Sequence, residues 1–248
     1  LNEEGMFEPG RGSLSLEPFL YTDDTLVTWA DVDRTISLAR NHLPIPSSTW
    51  RHRGLVLRTT AFAAAEPDGP AARACYRVEN HRPVPARVRL FVALRPFQVT
   101  PPWQSFGDLG GPARVRSLAW RDGPVVADGG LRVLPLTPPA GFGAAAFEQG
   151  GVLRHMARGN LPPRTDIEDV FGYASGALAW DFELLPGAAV EVLVAVPFAD
   201  RPALGGVASG ERRVVNAVSL DDLARYWGRK VGAVGIRVAG CAPAGIDA

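Results

Sequence analysis

The sequence predicts an all-β chain: an antiparallel, two-layer β-sandwich followed by one C-terminal helix. Three observations carry this. Period-two alternation of apolar and polar residues recurs along the chain. Turn residues, among 27 glycines and 22 prolines, separate the alternating runs at short spacing. Well-formed 3.6-residue periodicity occurs once, near the end. Many closely spaced strands without helices between them belong to sandwiches or barrels, not to βαβ units.

The strands follow in order. Weaker alternation covers 25–32, 55–64, 72–80 and 131–136. Three runs are strong. In 86–97, Val88, Leu90, Val92 and Leu94 share a face, with Arg87 and Arg89 opening the other. In 177–185, Leu178, Trp180, Phe182 and Leu184 oppose Asp181 and Glu183. In 189–197, four valines alternate with Glu191, Leu193 and Ala195. A pleated strand sends successive side chains to opposite faces, so each run buries one face. Phe91 and Ala93 make the strand at 86–97 apolar on both faces, which predicts cover on the outside of its sheet as well. Asp122-Gly123, Asp128-Gly129-Gly130 and Pro186-Gly187 supply hairpin turns, and Asn80 to Pro85 joins another strand pair.

The helix is predicted at 219–231. Ser219 caps it, Asp222 stands three residues on, and Leu220, Leu223, Ala224, Trp227 and Val231 form one apolar stripe. Acids at its start and Arg225, Arg229 and Lys230 toward its end suit the helix dipole. Trp227 is the expected anchor against the sandwich. A shorter helical turn is expected within 152–158. A last alternation, Val234, Ile236 and Val238, leads to the end of the sequence. The domain reading is a sandwich over 1–218, then a linker helix and the start of a connection over 219–248. Leu1 to Gly5 look like neither a signal peptide nor a natural start, so the sequence reads as part of a longer chain.

Composition narrows the function classes. The 248 residues contain 26 basic and 26 acidic side chains, a balance that argues against nucleic acid or an anionic membrane as the default partner and leaves only a local basic patch open. No apolar run is long enough to cross a membrane as a helix. Lys230 is the only lysine and lies in no phosphate-loop or Schiff-base context. Cys75 and Cys241 form neither a disulfide framework nor a CxxC metal site. The expectation is no cofactor and no metal.

Individual constellations are read in the same way. His42, His52, His81 and His155 lack the spacing of a zinc site, and His81 reads as a solvated turn residue. Gly141-Phe142-Gly143-Ala144-Ala145-Ala146 imitates a dinucleotide fingerprint, but Pro138-Pro139 occupies the place of the leading strand. It reads as a strand of small residues in close packing. Asp31-Val32-Asp33 and Asp166-Ile167-Glu168-Asp169 offer carboxylates to a cation but lack a calcium-loop pattern. No pair of carboxylates can be chosen from sequence spacing alone.

The stretch from Arg95 to Phe106 stands apart. It leaves a strong strand and displays Arg95, Trp103, Gln104 and Phe106 in a proline-stiffened loop. Ring faces stack on sugar C–H surfaces and amides bond hydroxyls, so these residues are carbohydrate-rim candidates. The other reading folds the same rings onto the sandwich or a neighbouring domain.

Several segments resemble one family. They are Ser15-Leu16-Glu17-Pro18-Phe19-Leu20, Leu26-Val27-Thr28-Trp29-Ala30-Asp31-Val32 and Leu43-Pro44-Ile45-Pro46-Ser47-Ser48-Thr49-Trp50-Arg51. Pro101-Pro102-Trp103-Gln104 and Phe171-Gly172-Tyr173-Ala174-Ser175-Gly176-Ala177 belong with them. Together they resemble large bacterial proteins described as discoidin-domain, or coagulation-factor-5/8-type, in which a β-rich region precedes a helical region similar to six-hairpin glycosidases. By analogy with glucoamylase-like hydrolases and sugar phosphorylases, the resemblance implies a supersandwich of galactose-mutarotase-like type that braces a helical barrel. Leu223, Arg225 and Trp227 would belong to the linker, and the barrel would carry the acid and base. This fold-level analogy transfers no catalytic residue. Two other readings stand beside it: a mutarotase-type sugar epimerase and an autonomous carbohydrate-binding module.

Overall fold

A computed structural model of the protein describes residues 1–66, 69–99, 111–121, 123–198 and 220–232. These form two antiparallel sheets packed face to face. One has five strands: β1 (Ser15–Thr22), β2 (Thr25–Val27), β7 (Ala86–Arg95), β11 (Gly141–Ala145) and β13 (Ser175–Leu184), in the order β11-β13-β7-β1-β2. The other has nine: β3 (Asp33–Ala39), β4 (Leu43–His52), β5 (Leu55–Glu66), β6 (Gly69–Asn80), β8 (Ser117–Trp120), β9 (Val125–Ala127), β10 (Leu131–Pro135), β12 (Asp166–Glu168) and β14 (Ala189–Pro197). Their order is β12-β8-β9-β10-β14-β6-β5-β4-β3.

The alternation read from the sequence sets which side chains enter the core. Leu16 and Leu20 of β1, Leu90, Val92 and Leu94 of β7, and Leu178 and Trp180 of β13 point inward. They meet Trp50, Leu57, Tyr76, Val78, Val192 and Val194 of the larger sheet. Both outer faces also carry apolar cover. Outside the smaller sheet, Phe19, Phe91, Ala93, Ala177 and Ala179 are buried by Val152 and Met156, on the segment holding the one-turn helix α1 (Leu153–Met156). Outside the larger sheet, Leu43, Ile45, Phe62, Ala64 and Cys75 pack against Leu223 and Ala224 of helix α2 (Leu220–Gly232). Burial there pushes the Cys75 thiol up to about 12.

Three expectations change. Pro186-Gly187 is not a hairpin turn, because β13 and β14 belong to different sheets. The link from β6 to β7 also crosses between sheets, and the two corners interlock: Asn80 N–H bonds the Ala188 carbonyl at 2.9 Å, and Gly187 N–H bonds the Asn80 carbonyl at 2.7 Å. Strand 25–32 ends early, at Val27, because Thr28 and Asp31 form a capping box around a 3₁₀ turn. Finally, α2 does not bury its whole stripe. Leu223 and Ala224 are buried, Trp227 is half-buried, and Leu220 and Val231 are exposed.

The acidic runs and the glycine run also have plain structural roles. The Asp31 carboxylate accepts the Thr28 N–H at 2.9 Å and bonds its hydroxyl at 2.7 Å. These bonds hold Asp31 below the usual carboxylate range. Among the described residues no group of His, Cys, Asp and Glu is arranged to hold a metal. At Gly143 an added Cβ would lie 2.8 Å from the Pro162 nitrogen and strike the Pro162 carbonyl oxygen. The glycine is therefore required by close packing of two backbones.

Candidate functional site

One end of the sandwich gathers the root of the Trp103 loop and a set of exposed rings. Arg95 closes β7 there. Its Nη1 donates to Glu17 Oε2 at 2.6 Å, and its guanidinium lies 4.5 Å from the centre of the Phe97 ring. Glu17 and Arg95 share the outer face of the smaller sheet, since Glu17 pairs with Ala93 and Ser15 with Arg95. Glu17 is only 1% exposed. Burial pushes its carboxyl above the usual glutamate range, and the Arg95 charge opposes that shift. Glu8 fastens the same end, accepting the backbone N–H groups of Gly12 at 2.6 Å and Val99 at 2.9 Å.

A chain of backbone bonds leads across this end. Ala113 N–H bonds the Pro96 carbonyl, Val115 N–H bonds the Gly172 carbonyl, and Asp169 N–H bonds the Arg116 carbonyl. The Asp169 carboxylate, nearly buried, then accepts three backbone N–H groups: Phe147 at 2.5 Å, Phe171 at 2.8 Å and Tyr173 at 3.4 Å. An aspartate that bonds the backbone two residues on forms an Asx turn and favours such a loop. Here it also captures a second loop.

The loops display apolar side chains to water. Val170 is 90% exposed, Phe147 60% and Phe171 48%. The Phe147 and Phe171 rings are 6.4 Å apart at 67°, and Phe147 and Tyr173 are 5.8 Å apart at 55°. Rings tilted in this way form a corner and not a flat platform. Such a corner receives a convex, partly apolar partner better than it stacks a flat sugar chain.

Of the predicted rim residues, Arg95 is at this end, committed to Glu17 and Phe97. Trp103, Gln104 and Phe106 lie outside the described residues. Of the linker residues, Leu223 is turned into the sandwich and Trp227 sits at its margin, while Arg225 faces solvent and bonds Asp222. Sequence reasoning did not identify Phe147, Val170, Phe171 or the holding role of Asp169. The available signal was an aspartate directly before Val-Phe-Gly, a turn-forming order.

No protein-family model and no curated protein matches the chain. Among solved structures it is similar to one described as "Putative kojibiose phosphorylase from human microbiome", at 9% identity and a TM-score of 0.41. The match covers 94% of this chain and 30% of that one, so the chain spans less than a third of that protein's length. No residue or activity is carried over from it.

Proposed function

We propose that this chain is a non-catalytic accessory β-sandwich of a larger carbohydrate-active protein. In this reading its aromatic end meets a helical catalytic domain and shapes the rim of that domain's site. The observation that carries it is the pairing of rigid support with exposed apolar surface at Phe147, Val170 and Phe171. A single exposed valine is ordinary, but Val170 adjoins Phe171, whose ring meets that of Phe147, and contiguous apolar patches mark interaction surfaces. Trp103, Gln104 and Phe106, which lie outside the described residues, are the candidate rim residues in this reading.

The other readings find less support. An autonomous module that bound sugars at this end would favour coplanar rings, and these are tilted. A mutarotase-type epimerase sets a histidine and a carboxylate around its sugar. Among the described residues the histidine–carboxylate ion pair is His81 Nε2 to Glu79 Oε2 at 2.9 Å, with His81 exposed, while His52, near the Asp31 carboxylate, commits its Nδ1 to the Asp31 carbonyl at 2.9 Å.

The test is hydrogen exchange and activity measured on the chain alone and in a longer protein that joins it to a helical catalytic domain. Backbone amides at 147 and 170–173 should gain protection in the longer protein. The isolated chain should neither cleave glycosides nor interconvert anomers. Equal exchange in both forms, or mutarotation of glucose or galactose by the isolated chain that depends on one histidine, overturns the reading.

A further inference from the structure

The outer face of the larger sheet holds a separate open basin of about 640 Å³ beside the first residue of α2. Its polar half follows strand register. Arg58 of β5 pairs with Arg77 of β6, which pairs with Glu191 of β14, so the three side chains form one row across the sheet. Strands lie about 4.8 Å apart, so the row spans about 10 Å, room for two sugar rings. The next row brings Ser47 and Thr60 together, their hydroxyls 2.8 Å apart. Ile45, Leu38 and Leu220 supply apolar surface around these groups.

We propose that this basin binds a neutral saccharide of about two rings. Charge is the first reason. Two arginines, Arg58 and Arg77, face two carboxylates, Glu79 and Glu191, so the lining is neutral. Arg77 is committed on both sides, to Glu79 at 2.7 Å and Glu191 at 2.9 Å. Arg58 has no hydrogen-bond or ion-pair partner among the described residues, and its donors are open to a ligand. A phosphate would approach two glutamates, and a metal ion would approach two arginines. A flat heterocycle would find no ring in the lining to stack on. A sugar hydroxyl both donates and accepts, so it suits alternating guanidinium, carboxylate and hydroxyl groups, while its C–H faces meet Leu38 and Leu220. The basin lies on the sheet opposite the aromatic loops' support at Glu17 and Arg95, and it does not depend on their docking to a second domain.

The experiment titrates the full chain with maltose, cellobiose, lactose and inorganic phosphate, by calorimetry and ligand-observed NMR. At least one disaccharide should bind and phosphate should not. Arg58→Gln and Glu191→Gln, both at exposed positions, should each raise the Kd about tenfold, the scale of one charge-assisted hydrogen bond. Phe147→Ser should leave the Kd unchanged. The proposal fails if none of the three disaccharides binds, or if phosphate binds through Arg58. It also fails if binding survives both basin substitutions, or falls with Phe147→Ser. None of these failures bears on the accessory role, whose test is protection of the aromatic loops.

Discussion

The Asp169 carboxylate holds Phe147 from a different loop, accepting its backbone N–H at 2.5 Å. With Phe171 and Tyr173 also bonded, one side chain fixes the two loops that carry the exposed rings. Asp169→Ala leaves these N–H groups without their acceptor. The expected loss is about 3 kcal/mol in urea unfolding, on the scale of hydrogen bonds to a charged group. Asp169→Asn, with one accepting oxygen, should recover part of it. An Ala variant as stable as the parent would mean that the loops are held by ring contacts alone.

Glu17 and Arg95 make stability depend on pH. Burial raises the folded-state pKa of Glu17 above its ordinary value of 4.5. The folded state therefore holds this proton more tightly than the unfolded chain. That contribution to stability is fully present below the unfolded pKa and is lost as pH rises through the folded one. Glu17→Gln should flatten the stability profile in the window just above 4.5. Arg95→Ala should raise the Glu17 pKa further, because it removes the opposing charge. It should also cost about 3 kcal/mol at neutral pH, the low end for breaking a buried pair, since Arg95 is partly in water. A Gln variant with an unchanged profile would show that Glu17 titrates alike in both states.

Gly143 offers a test of packing. Its missing Cβ leaves room for the Pro162 backbone to cross β11, where Ala144 N–H bonds the Arg164 carbonyl at 2.7 Å. Gly143→Ala should cost about 1–3 kcal/mol, the usual range for overpacking, and more if the backbone cannot shift. Gly129, with open space around its missing side chain, is the comparison. Its positive φ of 72° still limits Gly129→Ala to about 1 kcal/mol of loss. Equal thermal melts for the Gly143 variant and the parent would remove the close-packing account.

Much of the fold was legible because alternation decides which face of a strand is buried. β7, β13 and β14 were located within two residues at every boundary on that basis. Alternation does not say to which sheet a strand belongs. Pro186-Gly187 therefore read as a hairpin, although Asn80 makes it half of a corner between sheets. The site was less legible. Asp169 read as one acid in a cluster, because its value lies in reaching Phe147, 22 residues away in sequence. The Thr28-to-Asp31 capping box was visible, but the alternation of 25–32 concealed it.

The terminal helix gives the most discriminating prediction. Its stripe marks Trp227 as the anchor, the largest residue near the centre. The structure instead buries Leu223 and Ala224, each 8% exposed, over Leu43, Ile45, Phe62 and Cys75. Trp227 stands at the margin with its ring 5.5 Å from that of Tyr226. The 13 residues of α2 span about 20 Å, and Leu220 and Val231, near its two ends, are exposed. Leu223→Ala should cost about 2–3 kcal/mol, the lower range for a buried leucine. Trp227→Ala should cost less, about 1–2 kcal/mol, because its ring packs at the margin of the cluster and part of it stays in water. Leu220→Ser and Val231→Ser should stay within about 0.5 kcal/mol, as ordinary surface changes do. Denaturant unfolding that ranks Trp227 above Leu223 would restore the tryptophan as anchor and require α2 to be rotated on the sheet.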